Sequence, residues 1–264
     1  MKIRKIVGKV KRALIFLIDY PEDRKCQKIA KYNVAGKYKR VYLYHIRKTG
    51  GTSLNNMFLS LADDDKNLYK KLNRSLSQRF ISNGFVIQGW NPLLIERGHF
   101  FYGFSHLPSH QLNLKSDTFT ITCLRDPYKR IVSLYNMLID QVENDPLHPG
   151  LKSQKQWLGN SFSDFIDRVP KYELLNQLYM FSENYDIDEA VKKIKSLGFY
   201  FFTESFDSDI IQLNKILDLS LKPIHVRKAS TAISLNITPD ENKRLNKMLA
   251  PEIELLEKLQ YSKS

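Results

Sequence analysis

The sequence predicts an α/β protein of three layers, with a central, mainly parallel sheet flanked by helices. Three observations predict it. Short β-branched and aromatic runs alternate along the chain with segments whose apolar residues recur at helical spacing. The run at 41–46 (VYLYHI) passes through a glycine turn straight into Leu54, Met57, Phe58 and Leu61, which share one helical face. The run at 118–124 (TFTITCL) ends in Arg125-Asp126-Pro127, where Asp126 suits an N-cap and Pro127 the first helical position. In such sheets ligands bind beyond the C-terminal ends of the strands, and Lys48 and Arg125 both fall there.

Residues 1–18 set Ile3, Ile6, Val7, Val10, Leu14 and Leu17 on one helical face, with six basic residues and no acid before Asp19. Such a helix either lies on an anionic membrane or packs on the domain with a solvated basic face. Residues 19–40, polar and basic with Pro21 and Gly36, read as a linker. The division expected is thus a basic extension and linker over 1–40 and one domain over 41–264. After the helix that follows the glycine turn, residues 63–98 are poorly periodic; Trp90, Pro92 and Gly98 suggest loops around one or two short elements. Segment 100–105 is strand-like and leads into His106-Leu107-Pro108. The helix begun at Pro127 runs to about Val142, and 144–160 reads as a loop. Helices are expected near 161–169, 172–182 and 187–197, then a strand at 198–203 (GFYFFT) and a helix over 207–218. A basic loop, 225–230 (HVRKAS), precedes a final amphipathic helix after Pro239.

A chain of 264 residues at 42% hydrophobic composition can bury a full core. Lys and Arg number 41 against 28 Asp and Glu, a net charge of +13, which favours polyanionic partners. No recognisable nucleic-acid module accompanies the charge, so nucleic acid is not expected. Cys26 and Cys123 are far apart and form neither a disulfide framework nor a CxxC pair, which fits a reducing compartment. The apolar run 13–18 is too short for a membrane span or a signal-peptide core, so a cytoplasmic protein is expected.

The turn at 47–53, Arg47-Lys48-Thr49-Gly50-Gly51-Thr52-Ser53, is an anion cradle. Paired glycines let backbone N–H groups approach a ligand, and the helix N-terminus adds partial positive charge. Lys48 adds a full charge, while Thr49, Thr52 and Ser53 add hydroxyls. It is not a Walker A loop, because Lys48 precedes the glycines instead of following them. A second basic site is Arg125 at its strand end, with Ser133 on the helix behind it; these can hold a phosphate by charge-assisted bonds. The third is the loop carrying Arg227, Lys228 and Ser230. Each site alone has a bland reading as a turn, a helix start or a solvated charge run.

Together the three sites resemble the sulfotransferases that use 3′-phosphoadenosine 5′-phosphosulfate (PAPS), especially the heparan-sulfate 2-O-sulfotransferase-like carbohydrate branch. The Lys-Thr pair leading into small residues matches the family's 5′-phosphosulfate loop. LRDPYKRIVSLYN at 124–136 matches its 3′-phosphate motif, HVRKAS its late basic loop, and FFTESFDSDI its Thr-Glu turn. The resemblance runs from about 41 to 260 and implies a P-loop-like fold. Residues 63–98 match nothing in it, and Ala229 stands where the cytosolic branch has Gly. It implies PAPS as donor, no metal, Lys48 as catalytic cation, and Arg47 through Ser53, Arg125, Ser133, Arg227, Lys228 and Ser230 as donor-binding residues. It also implies a His base between the two donor motifs, which nominates His106 in GFSHLP, with His99 and His110 as competitors; imidazole suits proton removal near neutral pH. His45 reads as a strand-end packing residue. The implied acceptor is a carbohydrate or glycolipid hydroxyl, with small alcohols and a protein tyrosine left open. The missing membrane anchor departs from the family's Golgi-resident members and fits a bacterial cytoplasmic enzyme that works at the inner membrane face through residues 1–18. Oligomeric state is not readable from these patterns. The rival readings are a P-loop-type nucleotide kinase or NTPase, and a non-catalytic binder of anionic glycan or nucleic acid.

Overall fold

The computed structural model describes residues 20–65, 67–75, 77–147, 150–224 and 237–259. The basic stretch 1–18 and the loop carrying Arg227, Lys228 and Ser230 lie outside the described residues. The chain opens with a helix over residues 20–29 (α1) and enters the central strand β1 (Arg40–Tyr44). There follow α2 (Gly51–Ser60), α3 (Leu68–Arg74), β2 (Arg79–Ser82), β3 (Phe85–Gly89), α4 (Pro92–Arg97) and β4 (Tyr102–Ser105). Then come β5 (Thr118–Leu124), α5 (Pro127–Asn144), α6 (Leu151–Leu158), α7 (Phe162–Arg168), α8 (Lys171–Leu174), α9 (Asn176–Tyr179) and α10 (Ile187–Lys195). The chain closes with β6 (Phe199–Phe202), α11 (Phe206–Leu217) and α12 (Pro239–Lys258).

The six strands form one sheet in the order β2-β3-β4-β1-β5-β6, parallel except for the β2–β3 pair. Strand β1 sits between β4 and β5, so the chain leaves it to one side and returns on the other. That is a topological switch point, and the loops after β1, β4 and β5 converge at its C-terminal end. The strand is buried on both faces, as its unbroken apolar run requires. Tyr42 and Tyr44 enter a core shared with α5, α7, α10 and α12, while Val41 and Leu43 enter one shared with α2, α3 and α11.

Four readings are corrected by the described residues. The expected linker contains α1, whose Asp23 is fully buried and takes Arg79 at 2.9 Å and His99 at 3.1 Å. Burying a carboxylate needs such partners, and here they fasten α1 to the outer strand of the sheet. The illegible segment 63–98 holds two helices and a β-hairpin, turned at Asn83 (φ 47°) and Gly84 (φ 80°). The loop expected at 144–160 contains α6, held by buried Leu151, Trp157 and Leu158. The helix expected over 172–182 is instead two short ones, α8 and α9, parted at Leu175 (φ −107°, ψ 47°).

Candidate active site

Strand β1 ends at Tyr44, and His45, Ile46, Arg47 and Lys48 carry the chain to the turn. Two residues there have left-handed backbones: Lys48 (φ 67°) and Gly50 (φ 85°), the N-cap of α2. Gly50 takes that conformation without cost, whereas at Lys48 it costs of order 1–2 kcal/mol. Gly51 is required for another reason. A Cβ there would lie 2.1 Å from His45 Cδ2 and 2.4 Å from its Nε2, so the imidazole packs directly on the first turn of the helix. The Ser53 amide turns back to the Gly50 carbonyl at 2.9 Å. The amides of Gly50, Gly51 and Thr52 lie at the start of α2, where a helix would receive an anion. Thr49 is fully buried and its hydroxyl donates to the Ile46 carbonyl at 3.0 Å. That side chain fixes the turn and does not serve as the hydroxyl donor expected of it.

The second site meets the first. The Arg125 guanidinium donates to the Lys48 carbonyl at 3.0 Å, joining loops 77 residues apart into one basic surface. Asp126 caps α5 as expected, accepting the Lys129 amide at 2.9 Å, and Pro127 opens the helix. Ser133 is half-buried on α5. The Thr203-Glu204 turn arrives from β6: Glu204 accepts the Asp126 amide at 3.4 Å, and a Cβ on Gly50 would lie 3.5 Å from Thr203 Cγ2.

Behind Arg125 stands a buried network that the sequence patterns did not reveal. Gln177 grips the Arg125 backbone at both ends, accepting its N–H at 2.8 Å and donating to its carbonyl at 3.0 Å. Glu252 on α12 accepts the Gln177 amide at 2.6 Å and its side-chain nitrogen at 3.0 Å. The Glu252 carboxylate is paired in turn with the Arg130 guanidinium at 3.4 Å, both side chains being fully buried. Arg130 also donates to the carbonyls of Glu173 and Leu174. One signal was present: Glu252 interrupts the apolar stripe of Leu245, Leu249, Leu255 and Leu256. An acid on a buried helical face announces a buried partner.

His106 follows β4. Its Nδ1 lies 2.6 Å from the His45 carbonyl, and a carbonyl only accepts, so Nδ1 carries the proton and Nε2 the lone pair. Burial and the Arg47 charge push the His106 pKa down to about 4, against a partial upward pull from the bonded carbonyl. His45 is its neighbour, with ring centroids 4.4 Å apart. Asn55 donates to His45 Nδ1 at 3.3 Å and accepts the Tyr102 hydroxyl at 2.8 Å, which places the His45 proton on Nε2, against Gly51. Burial holds the His45 pKa well below the usual range, with the neighbouring His106, Arg47 and Lys48 charges adding to it. Arg47 Nε lies 3.6 Å from Glu173 Oε1, and burial raises the Glu173 pKa despite that partner. The competitors stand elsewhere: His99 is tied to Asp23, and the exposed His110 rests edge-on against Tyr179.

The structure thus gathers Arg47, Lys48, Gly50, Gly51, Thr52, His106 and Arg125 at the end of the central strands. Among the described residues no helix is long and apolar enough to cross a membrane, and no cluster of His, Cys, Asp and Glu has the makings of a metal site. No curated protein matches the chain. Among solved structures it is similar to the crystal structure of mouse sulfotransferase SULT7A1 complexed with PAP. That likeness covers 90% of both chains at 14% identity, with a TM-score of 0.37. A family model described as "Sulfotransferase family" matches residues 30–244, a span that takes in the cradle, both histidines and the strand-end arginine. On that match the chain belongs to the sulfotransferase family.

Proposed function

We propose that the chain transfers the sulfuryl group of PAPS to a hydroxyl of a carbohydrate or glycolipid acceptor, as a member of the heparan-sulfate 2-O-sulfotransferase-like branch. One observation supports the reading: the Arg125 guanidinium on the Lys48 carbonyl brings the two basic loops together. A donor with phosphates at both ends asks for that arrangement. The donor set fits it, being cationic and amide-rich at the cradle and guanidinium-based at the strand end. When bound, PAPS supplies the sulfuryl group for in-line displacement and leaves as adenosine 3′,5′-bisphosphate.

The chain's own residues divide the work. The amides of Gly50, Gly51 and Thr52, with Lys48 and Arg47, hold the 5′ end and offset charge developing on the leaving oxygen. Such preorganised donors are worth about 3 kcal/mol each in comparable sites. Arg125, with Ser133 behind it, grips the 3′-phosphate, and Arg227, Lys228 and Ser230 are assigned to the same group from sequence. His106 Nε2 takes the acceptor proton, a step worth roughly 10²–10⁴-fold. Its low pKa keeps the ring neutral near pH 7, with Nε2 free to accept, and a polyanion bound beside it raises its basicity. The basic stretch 1–18, with six basic residues and no acid, is assigned to peripheral contact with an anionic membrane.

The test is calorimetric titration with adenosine 3′,5′-bisphosphate and with 5′-AMP. The bisphosphate is expected to bind in the micromolar range. AMP is expected to bind roughly 10- to 100-fold more weakly, the value of charge-assisted bonds at about 1.5–3 kcal/mol. Arg125→Ala should erase the difference. Equal binding of both nucleotides, or none, overturns the reading.

A further inference from the structure

Glu173, on α8, carries a buried carboxyl for which the core has little use. Its side chain is 8% exposed, and Oε1 lies 3.6 Å from Arg47 Nε, beyond a hydrogen bond but within an ion pair. The other oxygen, Oε2, is buried with no hydrogen-bond partner among the described residues. A carboxyl left so poorly satisfied costs stability and asks for a reason. Burial raises its pKa, while the charges of Arg47 and then Arg130 pull the other way. Arg130 is engaged elsewhere: it donates to the Glu173 backbone carbonyl at 3.0 Å and pairs with Glu252 at 3.4 Å. Tyr172, the next titratable neighbour, is held as a neutral phenol. Among the described residues, Arg47 is thus the side chain with which Glu173 forms its ion pair.

Arg47 stands at the reacting end of the site, in the loop between β1 and α2. Its amide donates to the Asn176 side chain at 3.4 Å, so α8 and α9 hold both its backbone and its guanidinium. It follows His45 by two residues, and the His45 carbonyl accepts from His106 Nδ1 at 2.6 Å. The Arg47 charge reaches both imidazoles and helps to push their pKa values down. An ion pair through Nε leaves the Nη nitrogens, which carry most of the N–H donors, for an anion. A free Arg side chain holds about 2 kcal/mol of rotamer entropy, part of which an anchor removes before the ligand arrives.

We infer that Glu173 is a positioning residue, which anchors the Arg47 guanidinium through Nε and so sets its Nη nitrogens for the anionic 5′ end of the donor. This rests on the sulfuryl-transfer reading and adds to it a residue that touches neither donor nor acceptor. The sign of its effect separates this role from others. A carboxylate close to a polyanion site repels the ligand, so electrostatics alone would have binding tighten when the charge is removed. A side chain that only fills space would leave affinity as it was. Loss of an anchor weakens binding, and does so only while Arg47 is present.

The test is calorimetric titration of the wild type, Glu173→Gln, Arg47→Met and the double variant with adenosine 3′,5′-bisphosphate and 5′-AMP, from about pH 8 down to about pH 5. At the alkaline end Glu173→Gln should weaken the bisphosphate about fivefold, part of the roughly tenfold or more lost with Arg47→Met. In the Arg47→Met background the same change should weaken it no further. As pH falls the wild-type carboxyl takes up its proton and releases Arg47, so the ratio between wild type and Glu173→Gln should shrink towards one. Glutamine keeps the volume of glutamate. If its Tm nevertheless falls too far for titration, Glu173→Asp, which keeps the charge and draws it back from Nε, should bind the bisphosphate more weakly than the wild type. Unchanged or tighter binding by the variant titrated, equal weakening in the Arg47→Met background, or a ratio constant with pH overturns the anchor. In each of those cases a wild type that prefers the bisphosphate to AMP keeps the donor reading. A wild type that binds neither nucleotide removes both.

Discussion

Glu252→Leu should damage this protein more than any surface change, although Glu252 lies on the last helix, far along the chain from the cradle. Its carboxylate is fully buried, pairs with Arg130 at 3.4 Å and accepts the amides of Gln177 at 2.6 Å and Leu178 at 3.3 Å. Removing one partner of a buried ion pair strands the other, at about 3–5 kcal/mol. Each amide left without an acceptor adds roughly 1–3 kcal/mol. A loss of about 5 kcal/mol or more is expected, against a typical total of roughly 5–15 kcal/mol. At roughly 2–4 °C per kcal/mol for a chain of this size, Tm should fall by about 10–20 °C. Urea unfolding of the single variants and of Arg130→Met/Glu252→Leu closes a double-mutant cycle. The double variant should recover about 3 kcal/mol, the part due to the stranded charge, but not the part due to the amides. A single-variant loss below about 1 kcal/mol, or coupling below about 0.5 kcal/mol, would refute the argument.

Two further outcomes follow from the histidine pair. His106 takes up a second ring proton only below about pH 4, against 6.5 for the ordinary side chain. The folded protein therefore binds fewer protons than the unfolded chain between those values, so stability should fall as pH drops from 6.5 towards 4 and be level above that window. The same displacement should move the acidic limb of kcat/KM, which reports the free enzyme, well below pH 6.5; a limb at 6.5 in a pH–rate series speaks against His106 as the base. Gly51→Ala should drive a methyl into the His45 ring, with the nearest ring carbon at 2.1 Å. Bisphosphate affinity measured by calorimetry should fall by more than about tenfold as the first turn of α2 shifts, and an unchanged affinity would show that the ring moves aside freely.

The strand, glycine turn and helix over 40–60 were legible because everything that makes them is local: an apolar run, a turn that needs glycine, and a helical face lie within one short stretch. The strand-end Arg125, its cap at Asp126 and the expected helix were legible for the same reason. What escaped was long-range. The hairpin of β2 and β3 carries its signal in Asn83-Gly84, a pair with both φ values positive. Its strands, however, bury Arg79 and Gln88 and so break the alternation by which a strand is read. Arg79 faces inward because Asp23 waits there, 56 residues earlier. Helix α1 was read as linker for the reciprocal reason, since a polar segment looks solvated until its buried acid finds its partners. Thr49 shows the limit at close range: residue type marked it as a ligand donor, and geometry spends its hydroxyl on the Ile46 carbonyl.

The strained turn and the distant network belong to one device. Lys48 holds a left-handed backbone at a cost, and its carbonyl is bonded by Arg125, whose own backbone is clamped at both ends by Gln177. Gln177 in turn hangs on Glu252. A guanidinium has five N–H donors, so Arg125 can keep the Lys48 carbonyl and still meet an anion. The glycine turn and the strand end are thus held by the same side chain. If the donor binds as proposed, perturbing α12 should therefore reach both of its ends, which a surface made of two independent anion sites would not do.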